Sequence, residues 1–266
     1  MSKYLFTVCG RAGSKGIPGK NSALFLGIPL LYYTLATIEL YRESHLEDEV
    51  DLALNTDSAD LKRLMDESGI KYVFIPRSKA LAGDSVGKVD VIRETYRSMK
   101  EINNSEYDAV IDLDLTAPLR TLNDLERVLD KRKRTDLGVV FTVVPSRRNP
   151  YFNMVIENPD GSCSKVNEYE CMSRQQAPSV YDINASIYAY SIEFMDSDRQ
   201  MFDAPCQFVE MYDTAVLDLD HSNDLELMQV IAEYLYSKNE SLRVVRERAR
   251  RIAEATYSQM AEGRAE

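Results

Sequence analysis

The sequence of 266 residues is poor in the residues that build metal–thiolate and metal–histidine sites. It contains four cysteines, two histidines and no tryptophan. The cysteines show no CxxC spacing and the histidines are too few to complete a familiar ligand set, so no zinc site is predicted. We expect reduced, individually buried thiols at Cys9, Cys163, Cys171 and Cys206.

Positive charge and long apolar runs are also scarce. Lys and Arg number 32 against 43 Asp and Glu, a net charge of −11, and such an acidic surface repels nucleic-acid phosphates. No segment approaches the roughly 20 apolar residues of a membrane span, and the first eight residues are too short for a signal peptide. We therefore expect a cytoplasmic protein that binds neither nucleic acid nor membrane.

Strand and helix patterns alternate through the first half of the chain. Strands are predicted over 2–8, 49–54, 71–75 and 109–115, and helices over 30–41, 57–68 (capped by Asp57) and 86–99. This alternation predicts an α/β fold with a mostly parallel sheet and helices on both faces. Ligands of such sheets bind beyond the carboxyl ends of the strands.

The second half changes character after a helix over 121–134 and a strand over 137–144. We predict one domain over 1–266, with 149–212 as a small excursion from the sheet and 224–266 as C-terminal helices. Within the excursion, Asn158 to Gly161 indicates a hairpin turn. Its many large apolar residues predict a dimerisation surface: Tyr151, Phe152, Met172, Tyr181, Phe194, Met201, Phe202 and Phe208.

A glycine-rich basic loop follows the first strand, from Gly10 to Asn21. Four glycines, two lysines and one arginine within these 12 residues let backbone N–H groups approach an anion while cations neutralise it. The loop is not a Walker A motif, because Gly19-Lys20 is followed by Asn21, and the spacing G-x-G-x-x-G is absent. It predicts a phosphate site.

Five blocks in order carry a resemblance to a known family. Residues 11–21 are close to ARxGSKGxxxKN, 77–84 keep the Arg, Leu, Ala and Asp of RPxxLAxD, and 113–120 are similar to LQPTSPLR. Residues 174–188 resemble RQxxP followed by NGAIY, and 218–224 resemble DIDTxxDL. From about Leu5 to Asp224 the chain resembles the cytidylyltransferases that activate nine-carbon acidic sugars, the CMP-sialic acid synthetases and their legionaminic and pseudaminic acid relatives.

The resemblance implies a three-layer, Rossmann-like fold, a homodimer, and transfer of a cytidylyl group from CTP to a sialic-acid-like sugar. It implies that Arg11 and Lys20 hold the triphosphate and act in catalysis. The nucleotide-binding residues it implies are Gly10, Arg11, Gly13, Ser14, Lys20, Asn21, Arg77 and Asp84. Among them, Arg77 and Asp84 resemble residues that line the nucleoside pocket, and a donor together with an acceptor suits a cytosine, which presents both.

The resemblance also implies a metal site and a sugar site. Asp218 and Asp220 would act in catalysis by binding Mg²⁺, since two carboxylates on one strand face suit a hard cation. The alternative is a solvated acidic loop. The implied sugar-binding residues are Asp114, Arg174, Gln175, Asn184 and Tyr188. For Tyr188, a place in a core strand is an equally good interpretation.

Two departures from the family pattern bear on the sugar. Asp114 stands where LQPTSPLR has glutamine, and Pro150-Tyr-Phe-Asn supplies aromatics where sialic acid synthetases carry a basic residue. Both favour another nonulosonic acid, such as legionaminic acid. We expect Asp114 to face the sugar crevice and to accept a hydrogen bond from a donor on the sugar, because a carboxylate cannot donate.

Three alternatives stay open at this point. The synthetases for the eight-carbon sugar Kdo carry an acidic metal ligand where Thr116 stands, which argues against that branch. Asp112-Leu113-Asp114 resembles the DxD metal motif of a glycosyltransferase, although that interpretation leaves the glycine loop unexplained. A regulatory module would bind CTP without releasing pyrophosphate.

Overall fold

The computed structural model describes residues 1–13, 17, 19–83, 86–134, 137–214, 219 and 222–262. For Ser222 and residues 257–262 the description covers the backbone only. The strands are β1 (Lys3–Gly10), β2 (Leu24–Phe25), β3 (Ile28–Pro29), β4 (Glu49–Thr56), β5 (Val73–Pro76), β6 (Ala109–Leu113), β7 (Val139–Pro145), β8 (Val155–Glu157), β9 (Cys163–Lys165), β10 (Tyr181–Tyr190) and β11 (Cys206–Glu210). The helices are α1 (Leu30–Ser44), α2 (Ala59–Glu67), α3 (Lys88–Asn103), α4 (Leu122–Lys133), α5 (Ile192–Met195), α6 (Ser222–Lys238) and α7 (Glu240–Glu262).

The central sheet has seven strands in the order β11-β7-β10-β6-β1-β4-β5. Among these strands only β10 runs antiparallel to its neighbours, so the prediction of a mostly parallel sheet is confirmed. The carboxyl ends of β1, β4, β5 and β6 lie side by side at one edge.

Helices cover both faces of the sheet, which gives the predicted three layers. Because strand side chains alternate between faces, Tyr4, Phe6 and Val8 of β1 pack with α1, α2, α4, α6 and α7, whereas Leu5 packs with α3 and α5. Side chains at even positions of β6, including Asp112, point toward the α3 face with Val110. None of the described helices combines the length and apolar character needed to cross a bilayer.

The start of α2 corrects one prediction. The cap is Ser58, whose Oγ accepts a hydrogen bond from Leu61 N at 3.2 Å, and not Asp57. Asp57 instead accepts from Ala12 N of the glycine loop at 2.8 Å. Asp57 thus holds the loop that follows β1 and does not cap α2. It can do so because β1 and β4 are adjacent strands of the sheet.

The excursion predicted for 149–212 is smaller than expected. Residues 149–180 lie off the sheet and include the predicted hairpin, β8 and β9, with Gly161 at φ +81° in its turn. In contrast β10 and β11 are strands of the central sheet, because their apolar residues pack into both cores. Phe194, predicted on the dimer surface, is 3% exposed and belongs to the core.

The cysteines are unpaired, as expected, but none of them is fully buried, so that part of the prediction is wrong. Cys163 is exposed on the hairpin, and Cys9, Cys171 and Cys206 are partly exposed. At Cys9, burial among apolar neighbours and the nearby Asp112 raise the thiol pKa well above its ordinary value, so it is an inert thiol.

Candidate active site at the carboxyl edge of the sheet

The glycine loop begins where β1 ends, as predicted. At Gly10 a Cβ would lie 2.6 Å from Leu61 Cδ2 and 2.8 Å from Leu115 Cδ1, so this glycine allows close packing of the loop on the core. Gly13 has open space around it, and Gly19 has φ +66° at the turn before Lys20. The predicted loop residue Ser14 lies outside the described residues.

Two side chains fix the path of this loop. Asp57 accepts from Ala12 N, and Asn21 Nδ2 donates to Arg11 O at 3.0 Å. Asn21, predicted to reach the nucleotide, therefore also braces the backbone that carries Arg11. The side chains of Arg11 and Lys20 are partly exposed on the loop, at the edge where a ligand of the sheet binds.

Arg77 lies just after β5, two strands away from the loop. Its Nε donates to Asn55 Oδ1 at 2.9 Å, and a terminal guanidinium nitrogen lies 3.3 Å from Asn55 O. Asn55 is fully buried near the end of β4. The structure thus brings Arg77 to the same edge as Arg11, while Asp84, predicted beside it, lies outside the described residues.

A cluster of opposite charges lies at the end of β6, and sequence analysis missed its cation. Lys88, the first residue of α3, places Nζ 2.7 Å from Asp112 Oδ2 and 2.6 Å from Asp114 Oδ2. Asp112 is fully buried and also accepts from Thr7 Oγ1 at 2.9 Å. Two acidic residues on one face of a strand need a counter-charge, which is the signal that predicts such a lysine.

Asp114 is held from both sides. Its Oδ1 accepts from Thr116 N at 2.8 Å and from Thr116 Oγ1 at 2.7 Å, while Oδ2 accepts from Lys88. Burial by itself raises the carboxyl pKa, but Lys88 and the Thr116 hydrogen bonds outweigh it and lower the pKa of Asp114 to about 2. Burial likewise lowers the pKa of Lys88, and the two carboxylates raise it well above its ordinary value. The pair is ionised at neutral pH.

Arg120 ties the loop after β6 to the rest of the fold. Its guanidinium is fully buried and donates to Ala117 O, Ser186 O and Thr34 Oγ1 at 3.0–3.1 Å, and also to Asp114 O. Burial lowers its pKa to about 10, and the nearby carboxylates oppose that shift. The loop that carries Asp114 and Thr116 is therefore anchored by a buried cation.

Asn184 lines a cleft next to this loop. Thr116, Ala117, Leu119, Ser186, Met211, Asp213 and Leu219 contribute to the same cleft. The amide of Asn184 accepts from Thr142 Oγ1 at 2.7 Å, and its Nδ2 lies 3.2 Å from Met211 Sδ. The cleft opens where β10 is irregular between Ile183 and Tyr188, a bulge at which Ala185 has φ +49°.

Arg174 and Gln175 line a neighbouring cleft and not the one beside Asn184. Its other walls include Ser146, Asn149 and Tyr181. A guanidinium nitrogen of Arg174 donates to Ser146 O at 2.5 Å, and both predicted residues are exposed. Of the five predicted sugar-binding residues, Asn184 therefore lines one cleft and Arg174 and Gln175 line the other, whereas Asp114 and Tyr188 line neither.

Tyr188 is a buried strand residue, 8% exposed. Its ring stacks with Tyr190 at 6.2 Å between centroids, and Lys88 Nζ lies 5.2 Å from its centroid. Tyr188 thus contacts the charged cluster by a cation–π interaction between its ring face and the Lys88 ammonium.

The predicted metal ligands, Asp218 and Asp220, lie outside the described residues. Leu219 between them is 2% exposed and lines the cleft beside Asn184. Within the described part of the chain, no group of three or more His, Cys, Asp or Glu side chains forms a cation site. Between Asp112 and Asp114 the Lys88 ammonium takes the place that a divalent ion of a DxD motif would need.

Comparison with known proteins decides the family. The family model described as cytidylyltransferase matches residues 6–242. The chain belongs to the cytidylyltransferase family. It is 30% identical over 234 residues to post-translational flagellin modification protein B of Campylobacter coli, covering 87% of this chain and 95% of that protein.

Two further proteins are similar to this chain, one in sequence and one in fold. A CMP-N,N'-diacetyllegionaminic acid synthase of Campylobacter jejuni is 29% identical over 231 residues, covering 87% of this cytidylyltransferase and 95% of the relative. A solved structure of a CMP:2-keto-3-deoxy-manno-octonic acid synthetase complexed with CTP superposes with a TM-score of 0.60 at 16% identity, covering 88% and 99% of the two chains. The latter likeness supports the fold.

Proposed function

We propose that this cytidylyltransferase joins CTP to an acidic, sialic-acid-like nine-carbon sugar and releases the CMP-sugar and pyrophosphate. The observation that carries the proposal is the family match together with a basic glycine loop braced at the carboxyl end of β1. The relative named as a CMP-legionaminic acid synthase supports a nonulosonic acid as the acceptor.

The reaction is an attack of the sugar's anomeric hydroxyl on the α-phosphorus of CTP. A bond forms between the sugar oxygen and phosphorus, the bond between phosphorus and the pyrophosphate oxygen breaks, and the hydroxyl proton passes to solvent. Negative charge spreads over the phosphoryl oxygens in the transition state, so cations at the triphosphate are the needed catalysts. Arg11 and Lys20 are the residues of the loop that would supply them, and Asn21 would keep the loop in shape.

Mg²⁺ is the metal that we propose, with Asp218 and Asp220 as its ligands. Carboxylates together with phosphate oxygens are the donors that Mg²⁺ prefers, and the buried Leu219 between the two aspartates lines the cleft beside Asn184. When bound, the ion would offset charge on the phosphates. Asp112 and Asp114 are unsuited to this role, because both already pair with Lys88.

The cleft beside Asn184 is the site that we propose for the sugar body. Its walls provide the hydroxyl of Thr116, the amide of Asn184 and the carboxylate of Asp213, which suit hydroxyl and acylamino groups. Arg174 of the neighbouring cleft would pair with the sugar carboxylate, a role that suits a planar guanidinium. A sugar of the legionaminic type fits the departures at Asp114 and Pro150.

We propose that two chains associate through the 149–212 region. Of the apolar residues there, Met172 is 93% exposed, Phe202 69% and Tyr212 56%. Tyr181 and Phe208 stack at 4.6 Å between centroids and are each 38% exposed. Exposure of this much apolar surface to water is unfavourable in free energy, and such patches are typical of protein–protein interfaces. Light scattering at micromolar concentration should give twice the chain mass of 30.3 kDa; a monomer would contradict the proposal.

The cytoplasm is the compartment that we propose, because CTP is available there and reducing conditions keep thiols unpaired. The four unpaired cysteines agree with it.

Measurement of pyrophosphate release from CTP tests the proposed function directly. The purified protein is given CTP with a panel of nonulosonic acids and with Kdo, and the CMP-sugar is identified by mass spectrometry. We expect turnover with a nonulosonic acid of the legionaminic type. CTP binding without pyrophosphate release would favour a regulatory module, and turnover with Kdo alone would place the chain in the eight-carbon branch.

A further inference from the structure

Asp112, Asp114 and Lys88, here called the charged triad, lie at the carboxyl end of β6, and Asp114 accepts hydrogen bonds from Thr116, which lines the cleft beside Asn184. The Lys88 side chain is 33% exposed and that of Asp114 is 20% exposed, whereas Asp112 is fully buried. Asp112 therefore pairs with the lysine from the protein interior, and Lys88 and Asp114 are the two members of the triad that solvent reaches. This inference rests on the proposed function, since it concerns the sugar that the crevice takes.

The family pattern has a neutral glutamine where this chain has Asp114. An amide presents a donor and an acceptor side by side, but a carboxylate alone can only accept. Here Asp114 Oδ2 and Lys88 Nζ lie 2.6 Å apart, so the pair again presents an acceptor next to a donor. Lys88 thus supplies the donor that the change from glutamine to aspartate removes.

The hydrogen bonds that Lys88 and Asp114 already make determine which of their donors and acceptors stay available to a ligand. Oδ1 of Asp114 is taken by two hydrogen bonds from Thr116, which leaves a lone pair on Oδ2. An ammonium has three N–H donors; Lys88 donates one hydrogen bond to Asp114 Oδ2 and forms an ion pair with Asp112 Oδ2 without a hydrogen bond to it. Among the described residues, Lys88 Nζ and Asp114 Oδ2 therefore keep donor and acceptor capacity on adjacent atoms.

The net formal charge of the triad is −1, from two carboxylates and one ammonium. A wall of that charge does not attract the carboxylate of the sugar, but it accommodates a neutral group that both donates and accepts. We propose that Lys88 is a specificity-determining residue that, together with Asp114, binds one hydroxyl of the sugar through charge-assisted hydrogen bonds. Such bonds are about twice as strong as those of a neutral amide.

The test uses a charge-balanced variant, Lys88→Met/Asp112→Asn, which removes one charge of each sign and leaves the formal charge of the triad positions at −1. We expect the KM for the sugar to rise about 10- to 100-fold while the KM for CTP stays within about threefold, because only the sugar loses a hydrogen-bond partner. Lys100→Met is the matched control: Lys100 lies on the same helix and pairs with Glu106 at 2.9 Å, away from the crevice. It should leave both KM values unchanged.

A panel of singly deoxygenated sugars then identifies the hydroxyl. For the one analogue that lacks it, the loss caused by the double variant should shrink to about twofold or less, whereas the other analogues keep the full loss. Asp114→Gln, which leaves Lys88 paired with Asp112, should retain turnover and shift preference toward sialic acid.

Equal loss for every analogue, or an equal rise in the KM for CTP, would show that Lys88 is a structural residue and would overturn the inference while leaving the proposed function in place. An inactive wild-type protein on every sugar would overturn both. Circular dichroism and a thermal midpoint close to wild type establish that the double variant is folded, and Lys88→Arg, which restores a donor, should recover part of the sugar affinity.

Discussion

Asp114→Asn tests whether the Lys88–Asp114 pair stabilises the fold. Asparagine has the same shape and can still accept from Thr116, so the change removes the charge that faces Lys88 and little else. Lys88 keeps its contact with Asp112 in the variant.

The magnitude follows from the carboxyl pKa, which is about 2 in the fold against an ordinary value of 3.8. A lowered pKa in an acid means that folding favours its ionised form, so the stabilisation is present above the unfolded pKa and is lost as pH falls through the folded pKa. The difference corresponds to about 2 kcal/mol at pH 7. It should be roughly half as large near pH 3 and disappear below about pH 2.

Urea unfolding of wild type and variant at pH 7, 5, 4 and 3 measures this difference. The free energies of unfolding should differ by about 2 kcal/mol at pH 7 and converge as the pH falls, with a thermal midpoint lower by roughly 4–8 °C at pH 7. Glu101→Gln, an exposed acid on α3, is the control and should show no difference at any pH. A constant difference from pH 7 to pH 3 would refute the ion-pair explanation.

The other predictions concern the loop anchor, the bulge in β10 and the metal. Arg120→Met leaves several buried acceptors without a donor and should lower the free energy of unfolding by at least about 3 kcal/mol in urea titrations; an unchanged value would mean that the guanidinium bonds contribute nothing. Ala185→Gly should raise stability by roughly 0.5–1 kcal/mol, because φ +49° strains an L-residue, whereas Ala23→Gly at φ −64° should lower it. Asp220→Asn should reduce turnover on the order of 10²-fold with the circular dichroism spectrum unchanged, and near-normal turnover at limiting Mg²⁺ would reject Asp220 as a ligand.

Patterns that act over a few residues were sufficient for most elements of the fold. Apolar residues at intervals of three and four in α3, beginning with Val89 and Ile92, lie on one face of a helix. This pattern is local and can be recognised without knowledge of the rest of the chain. The alternation that puts Asp112 and Asp114 on one face of a strand end is equally local. The position of the glycine loop followed in the same way, since it comes directly after β1.

The candidate site was predictable only where a motif is continuous along the chain. Gly10 to Asn21 forms one loop, so its residues meet by connectivity. Arg174 and Asn184 lie ten positions apart but line different clefts, because the exposed turn at 174–176 and the bulged strand β10 meet the sheet at different places. Spacing in sequence could not distinguish those positions.

Tertiary packing alone decided which charges meet. Lys88 starts a helix 24 residues before Asp112, and only the packing of α3 on the sheet brings its ammonium to the end of β6. Arg120 is buried because α1 and β10 enclose the loop that carries it. The insertion of β10 between β6 and β7 depends on competition among strand pairings across the whole sheet. Such long-range contacts are fixed by the packing of many side chains together, and no short window of sequence contains them.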